Sequence, residues 1–434
     1  MRGWLLPAIG TLLLVAAGAA GAVLASRYEA AANVEGSATV EFVTDEEPAE
    51  DAAEEEVEDG EQLLADDPPE APPLPGIAWP TYGFSNERLR AVNFPHRPPF
   101  RIAWTFRARQ LIEFPPVIAY NRLYFANNSG VMFAVNAETG KRAWRWESGR
   151  CVAAAPAVSG DVVFQSFLNA PPCNRQPSPR LRGEVIAFAA GFGRIRWRTQ
   201  IGPTESSPAV AHGMVYVGDW YGRVVALDER TGEIRWTHRT GAEIKGGVAI
   251  SGRRLYVGSY DGHVYALDAL TGKRLWRAAA QDSLVGRRGT FYSTPAAAYG
   301  RVYIGSTDGR VYSYGATSGE LRWSYQTGGY VYSSPAVWER MVFAGSYSGR
   351  FYAFDAATGR VLWQFRANGP ISGSPTVVNG VVYFATLEER TYGLDARTGR
   401  QLWSFPDGKY TPVVADADRL YVVGHARVYG MAPR

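Results

Sequence analysis

The chain of 434 residues has two cysteines, five histidines and five methionines. So little cysteine excludes a disulfide-dense scaffold, a four-cysteine zinc site and a haem held through Cys-x-x-Cys-His. The histidines (His96, His212, His238, His263 and His425) are scattered, without metal-ligand spacing, and read as surface or turn residues. Runs of helix formers are scarce after residue 60, and lysine occurs four times. Acidic residues are sparse where the chain is most structured. Residues 1–76 hold 17 of the 42 Asp and Glu but only Arg2 and Arg27 of the basic residues. The remainder carries 43 basic against 25 acidic residues, a net of +18. That excess fits Arg-favouring codon usage, or a surface that meets anionic polymers, lipid headgroups or acidic partners.

Charge is also missing from Trp4 to Ala25, a run of 22 residues, and a helix needs about 20 to cross a bilayer core. Residues 1–27 are therefore expected to be a single-pass membrane anchor, with a cleaved signal peptide as the competing reading. No cysteine follows the run, which argues against a lipidated cysteine. Residues 28–76 hold a block of 15 acidic residues followed by a proline run, and are expected to be a disordered linker. Such a linker either holds the folded part away from the membrane or lies against the basic domain as its counter-charge.

What is abundant is tryptophan at a fixed interval. Trp104, Trp144, Trp197, Trp236, Trp276, Trp323, Trp363 and Trp403 are separated by 40, 53, 39, 40, 47, 40 and 40 residues. A period near 40, filled with alternating apolar and polar residues between Gly turns, predicts repeated four-stranded antiparallel sheets. One such sheet leaves both faces bare, so the sheets pack radially as a β-propeller. Seven units are complete. After Trp403 only three strands remain, while 101–106 (RIAWTF) is an outer strand with nothing before it. Pairing the two closes residues 77–434 into eight blades and removes two sheet edges.

The units share a motif: ALDERTGEIRW (226–236), ALDALTGKRLW (266–276), AFDAATGRVLW (353–363) and GLDARTGRQLW (393–403). It resembles the tryptophan-docking motif of the PQQ-like repeat, found in the eight-bladed quinoprotein-like propellers. The resemblance implies that each Trp packs between blades and that Asp228, Asp268, Asp355 and Asp395 shape turns. Asn136, Gly315 and the AFAAGFGRIRW copy depart from the pattern, so those turns are expected to be less well capped. Trp79-Pro80-Thr81-Tyr82-Gly83 is similar to the lead-in before the closing strand in such proteins. The family contains dehydrogenases that use pyrroloquinoline quinone and calcium, and non-catalytic BamB-like scaffolds. This chain has no adjacent cysteine pair and near-minimal blades. The resemblance therefore implies a non-enzymatic scaffold outside the cytoplasmic membrane, with no cofactor or metal. A quinone dehydrogenase holding the quinone and calcium, and a small-ligand sensor using the central channel, remain as alternatives.

Two segments break the 40-residue rhythm: 168–183 between a second and third strand, and 281–291 between two blades. Meander topology puts both on one rim. Cys151 and Cys173 meet there, and a disulfide between them is expected. Arg150, Arg175, Arg180, Arg182, Lys245, Arg287, Arg288, Tyr330, Tyr332, Lys409 and Tyr410 share that rim, the candidate binding surface. An envelope protein, a peptide or an anionic polymer suits it. Nucleic acid does not suit an extracytoplasmic domain, and the chain is expected to be a monomer.

Overall fold

In the computed structural model the described residues are 33–40, 42, 76–173, 178, 180–281, 289–410 and 413–434. The expected membrane anchor lies outside them, as does most of the linker. Among the described residues no helix is long and apolar enough to cross a membrane.

Eight antiparallel sheets form a closed propeller. Blade 1 shows the unit: Val117–Ala119, Arg122–Ala126, Val131–Asn136 and Arg142–Glu147, from the axis outward. The two middle strands of each blade are mostly apolar and buried along nearly all their length because both of their faces meet neighbouring blades. Outer strands such as Ile234–Arg239 alternate exposed and half-buried residues, since only one face is covered. The core therefore lies between blades. Tyr216, Val224 and Ala226 of blade 3, for example, pack on Ile250, Leu255 and Val257 of blade 4. The ring closes as the repeat count requires. Phe100–Arg107 pairs antiparallel with Arg427–Pro433 and supplies the outer strand of blade 8.

Each seam repeats one contact. Seven docking tryptophans donate Nε1–H to a turn carbonyl of the next blade, from Trp104 to Ala137 O (3.1 Å) round to Trp363 to Ala396 O (3.0 Å). The Gly of the Thr-Gly turn lies against that ring. At Gly272 (φ +71°) a Cβ would sit 2.5 Å from Trp236 Cε3, so the position demands glycine twice over. Trp403 precedes the closure, and there Phe100 meets its ring edge-on at 5.7 Å. Asp228 Oδ1 accepts from the amides of Arg230 and Thr231, and Asn136 Oδ1 caps its own turn in the same way. The turns at Gly315 and Ala189 lack that side-chain acceptor and form on backbone bonds, joined at the first by Ser318 Oγ, which accepts from Glu320 N at 3.2 Å.

Two N-terminal segments add to the ring. Residues 77–92 run into the central channel and cap the inner edges of the blades. The amides of Val158, Ile250, Ala297, Val337 and Val377 donate to Pro80, Asn86, Glu87, Leu89 and Arg90 carbonyls at 2.7–2.9 Å. Ala91–Val92 adds a parallel strand to blade 7. Arg88 is fully buried and donates to Val248 O, Pro208 O, Tyr82 O and Thr81 Oγ1. The chain plugs its own channel.

The second segment, Asn33–Val40 with Phe42, lies within the stretch expected to be disordered linker. It is instead docked across the seam of blades 5 and 6. Val34 pairs with Ser324 on the outer strand Leu321–Gln326. Gly36 N donates to Thr358 O at 2.9 Å, and Arg301 donates to Ser37 O and Val40 O. Phe42 packs on Tyr299 and under Arg340. Trp323 is in consequence the one docking tryptophan that is fully buried. A Cβ on Gly36 would lie 2.4 Å from Ala357 O. Gly36→Val therefore releases the strap: amide exchange at Ser324, which donates to Val34 O at 2.9 Å, rises by at least about tenfold, a loss of roughly 1.4 kcal/mol in local protection. Unchanged protection at Ser324 would show that the strap does not need Gly36.

Candidate functional site

The rim built from blade connectors and second-to-third-strand loops is the irregular one. The two loop sets interlock: Thr240 N donates to Gly222 O, and Ile244 N donates to Asp219 O. Cys151 and Cys173 are joined there, with Cα atoms 5.6 Å apart. The join holds the base of the 168–183 insertion. Its far end is held by Tyr221 Oη, which donates to Ser178 O at 3.1 Å and accepts from Arg182.

The described residues bear on part of the expected basic rim. Arg175, Arg287 and Arg288 lie outside the described residues. Arg150 is paired with Glu184 at 2.9 Å, and Lys245 with Glu205 at 3.6 Å. The Lys245 ammonium also lies over Trp220 (4.9 Å) and Tyr260 (5.2 Å). Arg180 and Arg182 are exposed at the insertion, and Lys409 is half-buried beside Tyr410. Tyr330 and Tyr332 belong to an aromatic belt with Tyr292 and Tyr347, with ring centroids 5.0–6.1 Å apart.

The centre of the rim is acidic and aromatic, which the sequence reading missed. A cavity of about 50 Å³ opens at the channel mouth, floored by Tyr82 of the plug. One repeat position supplies most of its wall, three residues before the inner-strand proline or its equivalent. In different blades it is Glu113, Glu205, Lys245, Tyr292, Tyr332 and Ser372, and blade 8 contributes Tyr410. Aligning the units on that proline would have exposed this ring. Aligning them on tryptophan drew attention to the outer edge instead.

Tyr292 Oη donates to Glu205 Oε2 at 3.2 Å. Burial pushes the Glu205 carboxyl up, and Lys245 opposes the shift. Glu113 has no such help. Burial and the nearby Glu205 push it to about 7. A carboxyl that is ionised when unfolded near pH 6 is thus protonated when folded. Its contribution to stability is present below about 4.5 and is lost as pH rises through about 7. Glu113→Gln should therefore be neutral at pH 4.5 and stabilising above pH 7 by on the order of 2 kcal/mol, read from urea midpoints across pH. A difference independent of pH would refute the shift.

Metal or quinone chemistry would need a different lining. Among the described residues no three His, Cys, Asp or Glu converge on a point. The histidines serve locally: buried His96 meets Asp416 O, His212 meets Gly252 O, His238 meets Gly272 O, and His263 and His425 meet acidic side chains. The cavity has room for a few waters and not for a tricyclic quinone, and the channel below it is filled by residues 77–92. The described residues at this cavity do not fit that cofactor.

A family model described as "Outer membrane protein assembly factor BamB" matches residues 101–169, 181–333 and 326–432. The chain belongs to this family. Among curated relatives, BamB of Burkholderia pseudomallei is 28% identical over 131 residues, covering 30% of this chain and 31% of that one. A quinohemoprotein alcohol dehydrogenase of Comamonas testosteroni is 32% identical over 181 residues, covering 40% of this chain and 20% of the enzyme. The chain thus spans a third or less of either relative's length. The crystal structure of BamB from Moraxella catarrhalis superposes with a TM-score of 0.63 at 18% identity, covering 77% of this chain and 99% of that one. At that identity the likeness shows the fold alone. The protein is a BamB-type propeller with the PQQ-like repeat.

Proposed function

We propose that this propeller is a non-catalytic binding scaffold of the cell envelope, tethered by its N-terminal apolar run on the extracytoplasmic side of the membrane. Its connector rim would engage another envelope protein. The observation that carries this reading is the plug. With the channel filled by the chain's own residues 77–92, the accessible irregular surface is the rim, which carries the disulfide-held insertion of blade 2 and the tyrosine belt of blades 5 and 6. Membership of the BamB family and a disulfide suited to an oxidising compartment support the location. The paired state of Arg150 and Lys245 favours a protein partner over an anionic polymer.

The test is affinity capture from membranes with the full chain and with a variant in which 168–183 is replaced by a tight turn. A partner retained by the first and lost by the second, at matched melting temperature, supports the reading, and equal capture contradicts it. The similarity to a quinohemoprotein alcohol dehydrogenase favours a second reading, a quinone-dependent dehydrogenase. Titration with the quinone and calcium decides between them, since a bound-quinone absorbance with dye reduction would establish the enzyme.

A further inference from the structure

The Glu113 carboxylate faces the cavity at the channel mouth and makes no hydrogen bond or ion pair among the described residues. The groups around it do not supply a counter-charge. Lys245 is engaged with Glu205 and with the faces of Trp220 and Tyr260. Arg90, behind the floor, stacks on Tyr82 at 4.4 Å and donates to Arg88 O. Tyr292 gives its hydrogen bond to Glu205. The cup therefore contains two carboxylates against one ammonium, walled by Tyr82, Tyr292, Tyr332 and Tyr410. Tyrosine faces attract cations, and a half-buried carboxylate without a partner is costly to keep ionised. A multivalent metal would need further ligands, and no third carboxylate or imidazole converges there among the described residues. The free volume of about 50 Å³ matches a single ammonium or guanidinium head.

We propose that this cup is a binding site for one organic cation, with Glu113 as its counter-ion and the tyrosine rings as its cage. The cation is the head of a partner's Arg or Lys side chain or a free quaternary ammonium. The proposal rests on the connector rim being the binding face, and it names what the centre of that face recognises. Binding draws a proton off Glu113, because the cation stabilises the carboxylate that burial disfavours.

Calorimetric titration of the full chain at pH 6.5 tests it, with acetyl-arginine-amide in one arm, tetramethylammonium chloride in another and sodium chloride as control. Saturable binding of either cation is expected, with a heat that varies with the buffer's ionisation enthalpy. Acetyl-arginine-amide alone indicates a side-chain ligand and tetramethylammonium alone a free one. Glu113→Gln, which keeps the volume, should weaken binding by at least about tenfold, and Tyr332→Leu, which removes one ring of the cage, by about fivefold. No binding of either cation beyond the sodium control, or equal binding by Glu113→Gln, overturns the proposal. The membrane-capture experiment is independent of the cup. A partner retained there with no cation bound here removes the cup and leaves the rim.

Discussion

Arg88→Ala destabilises the propeller by on the order of 4 kcal/mol. The guanidinium is fully buried at the axis. It donates to Val248 O at 2.8 Å, Tyr82 O at 2.5 Å, Thr81 Oγ1 at 2.6 Å and Pro208 O at 3.1 Å. It therefore ties the plug to blades 3 and 4 at once. Removing it leaves several carbonyls dry, and each orphaned acceptor costs about 1–3 kcal/mol, with a cavity term added. Arg88→Met separates the two contributions. It keeps most of the volume and leaves the acceptors bare, so it should recover no more than about 1–2 kcal/mol of the loss. Phe84, Arg88 and Arg90 hold φ of +73°, +64° and +56°. The surrounding hydrogen bonds sustain that strained backbone, so the loss should extend to the plug as a whole. Urea midpoints at constant m-value measure it. An Arg88→Met protein as stable as the parent would mean that the plug does not depend on these bonds.

Trp323→Ala should cost on the order of 4 kcal/mol, and Trp236→Ala about 1 kcal/mol less. Both indoles bridge a seam by the same hydrogen bond, 2.8 Å to Ala356 O and 3.0 Å to Ala269 O. They differ in cover. Trp323 lies between Tyr303 and Phe354 at 5.9 and 5.7 Å and beneath Gly36 of the strap, so none of its surface is left to solvent. Trp236 remains half-buried. A large fully enclosed ring leaves the larger cavity. Loss of Trp323 should also free the strap, raising amide exchange at Ser324, whereas loss of Trp236 should leave Ser324 protected. Equal destabilisation by the two substitutions would mean that the strap adds nothing to the seam.

The parts of the fold that were readable are those the chain states repeatedly. Trp236 and Gly272 are two halves of one contact, written again at each seam, so their spacing counts the blades and locates the closing strand. Asn136 shows that the turn tolerates a substitute with the same acceptor oxygen, which is why a degenerate copy still folds. The plug and the strap were not readable because each is stated once. Asn86 and Gly36 carry no periodicity, and their partners lie far away in sequence, as Val34 lies from Ser324. The two irregular intervals point to the rim, but not to the pairing of its charges. Counting arginines said nothing about pairing, and Glu184 and Glu205 neutralise two of the named cations. The carboxylates at the channel mouth occupy a position that other blades fill with Tyr292 or Ser372, so the tryptophan register does not announce them and only the inner-strand proline register does.

Site-specific photo-crosslinking in intact cells addresses the binding face most directly. The photoreactive residue is placed at Tyr330, which is 53% exposed on the connector rim, or at Phe192, which is 80% exposed on a turn of the opposite rim. The account predicts a discrete adduct with an envelope protein from Tyr330 and none from Phe192. Adducts from Phe192 alone, or none from Tyr330, would contradict it.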